Sequence, residues 1–458
     1  MSRTKLTLSI QLLSFLLIGS WGFSELQAQS EILEAYVNEG VEHNLSLQER
    51  SLNYAQSVSA LQEAKGLFLP HLSFQASYTL AGGGRAIQFP IGDLFNPVYA
   101  SLNQITGENA FPTDLENVNE QFLPDNFHET KFRLIQPIFD SDIYFNYKAR
   151  QDLISVEEAR KKAYQQELGR DIRIAYFQYL QTESALAVYE TARELLEEIL
   201  RVNKRLHENN KVTYDAIYSA EFELSKMDRD IITALRDIQV SRSYFNFLLN
   251  RELDMPIKID SALQIKMEIE KLEELQTLAL SSRQELTQIS MAQAANDKQV
   301  SLNKFQALPK VNAVVDAGYQ GFNYTFDEDQ DFWLAQFSLS WDIFKGFRNK
   351  SRTQQSKIQG DILRTQHDQL SQQIQLQVKQ SFYEVEAAQA GITSARAGVK
   401  SARDVFRLTR KKYGEDQASL LELQEARTRL TQAELTLNIE TYNYLSRLAE
   451  LRWAAGKQ

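Results

Sequence analysis

The chain has 458 residues, no cysteine and a formal net charge of −10. The lack of cysteine excludes a disulfide framework and a lipid carried on an N-terminal cysteine. The acidic balance, with no basic stripe, argues against nucleic acid as a partner. The five histidines, His43, His71, His128, His207 and His367, stand apart from one another. No HExxH, phosphate loop or nucleophile elbow accompanies them, so the sequence implies neither an enzyme nor a bound metal or cofactor.

Residues 1–28 read as a secretory signal. Arg3 and Lys5 form a positive start, Leu6 to Trp21 is mostly apolar, and Leu26-Gln27-Ala28 suits cleavage. No later stretch is apolar for about 18 residues, so no membrane-spanning helix is expected. Residues 30–68 predict a helix with Leu45, Leu52, Ala55, Leu61 and Ala64 on its apolar side, and Pro70 ends it. The period then changes. In 71–81, Leu72, Phe74, Ala76, Tyr78 and Leu80 alternate with polar residues, the pattern of a strand with one apolar face. Gly82-Gly83-Gly84 opens a long loop with Pro90, Pro97, Pro112 and Pro124 as breakers. A second strand is predicted over 127–138, where Phe132 and Leu134 alternate with Lys131 and Arg133.

From 140 to 209 the chain has no proline and one glycine, Gly169, and strong helix formers fill it. Leu168, Ile172, Ala175, Tyr179, Thr182, Leu186 and Tyr189 recur at the coiled-coil spacing. At about 1.5 Å per residue this helix is roughly 100 Å long. Asn209-Asn210 suits a tight helix-to-helix turn. Thr213 or Asp215 can cap the return helix, 213–250. An irregular connection, 251–269, follows.

The plan then repeats. A helix over 270–305 ends before Pro309, strands are predicted over 311–320 and 332–342, and long helices over 346–413 and 419–454. Gln136-Pro137-Ile138-Phe139-Asp140 aligns with Trp341-Asp342-Ile343-Phe344-Lys345, and Ala175-Tyr176-Phe177 with Ser381-Phe382-Tyr383. The two repeats are 29–250 and 270–458. Each carries two amphipathic strands, and an open four-stranded sheet cannot sit in hydrocarbon with unpaired edges. Two chains give eight strands, which side chains fill; three or more leave an interior that conducts. The fold class is therefore mainly α with membrane β.

The two-fold plan, Leu69-Pro70 and Leu308-Pro309 before the first strands, and Gln136-Pro137-Ile138-Phe139 into the long helix resemble the TolC-type outer-membrane efflux proteins. So does Lys412-Tyr413 with Ser419, Leu420, Leu421 and Ala426. The resemblance covers about 30–454. It implies a homotrimer whose chains share a twelve-stranded β-barrel in outer-membrane lipid, with helical hairpins forming an α-barrel in the periplasm. It implies as partners a periplasmic adaptor and an inner-membrane pump, proton-driven or of the ABC type, and a cargo of small molecules or proteins.

By the same resemblance the pore narrows at the periplasmic helix tips. The family's tyrosine falls on Tyr413 and its constricting carboxylates on Glu422 and Glu425. The turns facing the adaptor fall on Asn209, Asn210 and Lys211 and on Gly414, Glu415, Asp416 and Gln417. The family's gate-locking arginine and aspartate fall on Ala418 and Ala216, so that ionic lock is not expected here. The turn glycines fall on Asn210 and Asp416, which tolerate positive φ. The alternative is a secreted coiled-coil scaffold with a small soluble sheet, in which Glu422 and Glu425 are solvated helix-face charges. Aromatics near the strand ends, Tyr78, Tyr319, Trp333 and Trp341, favour the barrel.

Overall fold

The computed structural model describes residues 31–260, 267, 269–415 and 417–457. The signal read over 1–28 and the turn residue Asp416 lie outside them. The elements run α1 (Glu31–His43), α2 (Leu45–Gly66), β1 (His71–Thr79), β2 (Ala86–Phe89), α3 (Ile91–Thr106), β3 (Val118–Gln121), β4 (Phe127–Phe139), α4 (Ser141–Glu208) and α5 (Tyr214–Leu248). They continue α6 (Leu272–Ser282), α7 (Gln284–Phe305), β5 (Lys310–Phe322), β6 (Asp331–Ser340), α8 (Arg348–Gly414) and α9 (Leu420–Ala454). The chain forms two compact units: Met1–Ala55 with Ser155–Met291 and Leu363–Gln458, and Gln56–Ile154 with Ala292–Ile362. Among the described residues, no helix is long and apolar enough to cross a membrane.

The first unit is helical. Its core gathers Tyr36 of α1, Tyr176 of α4 and Phe245 of α5, with ring centroids 5.1 to 6.0 Å apart. The Tyr176 hydroxyl donates to the Lys258 carbonyl (3.1 Å) and accepts from the Asp260 amide (3.0 Å). The Tyr36 hydroxyl accepts from the Lys258 amide (2.8 Å). Burial pushes the Tyr176 phenol up to about 12, so it stays a neutral donor that satisfies the connection's backbone. Down the long helices the buried positions Leu168, Ile172, Ala175, Tyr176 and Tyr179 follow the spacing read from the sequence.

Two helices expected as single pieces are broken. The helix read over 30–68 divides at Asn44. Asn44 Oδ1 accepts from the Leu47 amide (3.1 Å) and so caps α2, while its Nδ2 donates to the Leu248 carbonyl (2.9 Å) at the end of α5. The helix read over 270–305 divides at Arg283, whose backbone is extended. The Arg283 side chain is nearly buried; it binds Glu285 at 2.7 Å, donates to the Ala454 carbonyl at 3.2 Å and stacks on Trp453 at 4.3 Å. In both places a polar side chain holds the break by satisfying backbone elsewhere.

The second unit holds a four-stranded antiparallel sheet in the order β1-β4-β5-β6. Its register places Leu72, Leu134, Val315 and Ala335 in one row, and Phe74, Phe132, Ala317 and Trp333 in the next. This face is apolar, and Leu72, Phe74, Phe132, Trp333, Phe337 and Leu339 are all more than half exposed. The opposite face carries Ser73, Arg133 and Asp316 in one row and Gln75, Lys131 and Gly318 in another. Arg133 grips Asp316 through two bonds of 2.8 and 2.6 Å, and Lys131 lies 3.5 Å from Asp316 and 2.6 Å from Glu129. Such fork-to-carboxylate pairs are the stronger ion contacts. Phe145 of α4 stacks on Phe305 of α7 at 5.1 Å, and Lys310 binds Asp140 and Asp142 at 3.0 and 2.5 Å.

The stretch 82–126, read as an irregular loop, is structured. β2 pairs with β3, and α3 lies between them. Asn96 exchanges two 2.9 Å bonds with the Leu115 backbone, and Asn103 bonds the Phe111 backbone at 2.8 and 2.9 Å. Pro97 sits inside α3. Its ring removes only the amide bond to the preceding turn, which the short helix tolerates.

Gly318 has a steric purpose. A Cβ there would lie 2.1 Å from the Thr130 carbonyl oxygen and 2.6 Å from Lys131 Cα. We predict that Gly318→Val separates β4 from β5. The check is protease resistance of the detergent-extracted protein: the variant loses the resistant sheet, whereas wild-type resistance in the variant would show that the strand pair does not need glycine.

Candidate functional site

The ends of the two long hairpins, α4–α5 and α8–α9, meet in the first unit. They pack around Ile199, Ala220, Phe406, Tyr413, Leu423 and Leu430. The two turns are built alike. Asn210 has φ 55°; its amide donates to the His207 carbonyl (2.8 Å), and the Lys211 amide to the Leu206 carbonyl (2.9 Å). In the second turn the Glu415 and Gln417 amides donate to the Lys412 carbonyl at 3.1 and 2.8 Å. The long bond from Lys211 closes the first turn over the left-handed Asn210, and the bond from Gln417 spans the same separation in the second. Asn209 Nδ2 adds a bond to the Arg205 carbonyl (2.7 Å), and Gly414 is the last residue of α8.

Tyr413 is buried, and its hydroxyl donates to Asn203 Oδ1 at 2.6 Å. Asn203 is wholly buried on α4 and donates in turn to the Ala216 carbonyl of α5 at 3.0 Å. This chain of two bonds ties α8 to α4 and α5. Its counterpart one repeat earlier, His207, bonds the Val212 carbonyl through Nδ1 (2.9 Å) and lies against the Tyr214 ring at 4.1 Å. A second tie joins α9 to α5: Arg427, 3% exposed in its side chain, binds Glu223 at 2.9 Å. A buried ion pair of this kind is costly to break from one side. Gln424 also donates to Ser219 at 3.1 Å. Ala216 is buried and Ala418 packs on the apolar cluster, so the two positions that the resemblance assigns to an ionic lock carry apolar contacts.

Glu422 has a structural task that the sequence reading passed over. The Ser419 hydroxyl accepts from the Glu422 amide at 3.2 Å, and the Ser419 amide donates to Glu422 Oε2 at 2.7 Å. This is a capping box, and Ser419-Leu420-Leu421-Glu422 is its sequence signature. Bonds from the Ser419 amide and then its hydroxyl hold the Glu422 carboxyl below the usual glutamate range. Glu425 is exposed and lies 3.6 Å from Arg429 one turn on, a pairing weak in water. The structure thus places Tyr413, Glu422, Glu425 and the described turn residues at one end of the hairpins. It adds Asn203, Arg427 and Glu223, which no local pattern marked. Among the described residues no group of three or more acidic or histidine side chains could hold a metal ion.

Residues 275–457 match the model of the family described as outer membrane efflux protein. In that stretch, less than half of the chain, the sequence is similar to the outer membrane efflux proteins. Solved structures of outer-membrane proteins share its fold. VceC of Vibrio cholerae is 15% identical, with 93% of this chain and 96% of that chain covered and a TM-score of 0.73. The Campylobacter jejuni CmeC channel is 14% identical, with 93% and 86% covered and a TM-score of 0.73. The open state of the Neisseria gonorrhoeae MtrE channel is 15% identical, with 93% and 89% covered and a TM-score of 0.72. No curated protein matches in sequence. At these identities the shared fold is kept by pattern and packing, since most side chains differ.

Two outcomes follow for the tips. Tyr413→Phe leaves Asn203 Oδ1 buried without its donor; amide exchange in 200–216 and 408–420 is expected to speed up, and unchanged exchange would remove this bond from the tie. The Glu422 carboxyl titrates lower in the folded chain than in the unfolded one. Its contribution is therefore present above the ordinary glutamate value and is lost as pH falls through the lowered one. Fraying at the start of α9, read by amide exchange, is expected to appear on that acid side in the wild type and at neutral pH in Glu422→Ala.

Proposed function

We propose that this protein is the outer-membrane exit duct of a tripartite efflux system, a passive channel and not an enzyme. Three copies place their four strands each in one closed barrel, and the helical hairpins form the periplasmic part. A periplasmic adaptor engages the hairpin turns at Asn209 to Lys211 and Gly414 to Gln417, and an inner-membrane pump drives the cargo. The observation that carries this reading is the sheet: one face apolar and exposed, the other lined with Arg133, Lys131 and Asp316, on a chain homologous to efflux channels. An apolar outside and a charged inside are what a barrel in lipid around an aqueous lumen requires.

The tips act as the gate in this proposal. With Ala216 and Ala418 at the lock positions, the closed state is held by the Tyr413–Asn203–Ala216 chain and by Arg427–Glu223. Opening separates the hairpins and breaks these ties together. Glu425, and Glu422 to the extent that it leaves its cap, bring carboxylates toward the axis, where three copies attract cations. We expect the double variant Glu422→Ala, Glu425→Ala to raise single-channel conductance or to weaken block by divalent cations in planar bilayers. Unchanged current and block would remove both residues from the constriction, and an absence of any channel from the wild type would overturn the duct.

A further inference from the structure

A cleft in the first unit, lined by α1, α4, α9 and Lys457, has no part in the gate. Four of its lining side chains are cations, Arg170, Arg173, Arg452 and Lys457, against one carboxylate, Glu34. Three of the cations have partners. Arg173 binds Glu34 at 2.9 Å, Arg170 binds Asp171 at 2.7 Å, and Lys457 binds Glu270. Arg452 is different: among the described residues its guanidinium makes no hydrogen bond or ion pair, although it is partly buried. Burial, and then the charge of Arg173, lower its pKa. Arg173 contributes a second open donor, since its Nε is buried without a partner. Carboxylates of the chain, Glu34, Asp171, Glu450 and Glu270, face these cations, but two guanidiniums keep unused donors in a half-closed cleft, which the acceptor atoms of an anion can fill.

The remaining walls narrow the class of anion. Trp453 lines one side, with Arg170 4.0 Å and Arg283 4.3 Å from its ring. Val37 and Val41 add small apolar surfaces, and Asn38, Gln165 and Gln166 bring carboxamides. Carboxamides match the amide groups of a peptide, planar guanidiniums match a carboxylate, and the short apolar walls suit side chains of methyl size. A lipid would need a long apolar groove, which Val37, Val41, Ala449 and Trp453 do not make.

We propose that this cleft binds the C-terminal carboxylate of a short peptide with small side chains, Arg452 and Arg173 taking the carboxylate. The inference does not depend on the channel reading, because it rests on the first unit alone. The test is calorimetric titration of the detergent-purified full chain with N-acetyl-alanyl-alanine, with the same dipeptide as its C-terminal amide, and with inorganic phosphate. The acid is expected to bind at millimolar concentration and the amide not to. Arg452→Gln is expected to weaken the acid by about tenfold or more, as loss of a charged hydrogen-bond partner does, with Arg452→Lys recovering part. Equal binding of acid and amide would overturn the carboxylate role. Phosphate binding without dipeptide binding would overturn the peptide in favour of a phosphate, and no binding of any probe would overturn the site. Should Arg452→Gln fail to fold, the acid-against-amide comparison on the wild type still decides.

Discussion

The two free edges of the sheet are the constraint on which this protein turns. β1 and β6 each pair on one side only, and the face between them exposes Phe74, Phe132, Trp333 and Phe337. In water such a surface aggregates. In hydrocarbon the unpaired backbone groups are more costly still. The proposed barrel solves both problems at once, because its edges pair with strands of other copies and the ring closes. The proposed closure would also account for the charged face: Arg133, Lys131 and Asp316 bind one another, and a lumen would give them water.

The internal repeat provides two similar hairpins but not two identical tips. Tyr413 and His207 are repeat partners, as are Ser419 and Thr213. Only Ser419 accepts the capping bond from its helix, and only Tyr413 reaches across to the other hairpin. At the tips the hairpins are tied by neutral hydrogen bonds, Tyr413 to Asn203 and Gln424 to Ser219, and by the Arg427–Glu223 ion pair. A neutral bond in a dry core responds weakly to salt, so the proposed gate is expected to be less sensitive to ionic strength than one held by exposed charges.

Much of this was legible because the physics is periodic. The two-residue alternation in β1, β5 and β6 marked the strands, and the 3.5-residue seam marked the long helices. The breaks at Asn44 and Arg283 were not legible, since each depends on a partner far along the chain: Leu248 in one case, Ala454 and Trp453 in the other. α3 was hidden by its prolines, which read as loop breakers, although Leu94, Phe95, Val98, Leu102 and Ile105 carry a helical period. At the tips, Tyr413 came from resemblance, and its acceptor Asn203, 210 positions earlier, had no local signal at all. Glu422 is the instructive case: Ser-x-x-Glu before an apolar run spelled a capping box, and attention to the pore passed over it.

The central claim is that the strands of several copies close one barrel. The most direct test is the detergent-corrected mass of the protein extracted from outer-membrane fractions. A trimer in that fraction is the result this account requires. A monomer recovered from the soluble periplasm would contradict it, and would leave a helical scaffold whose exposed apolar sheet needs another explanation.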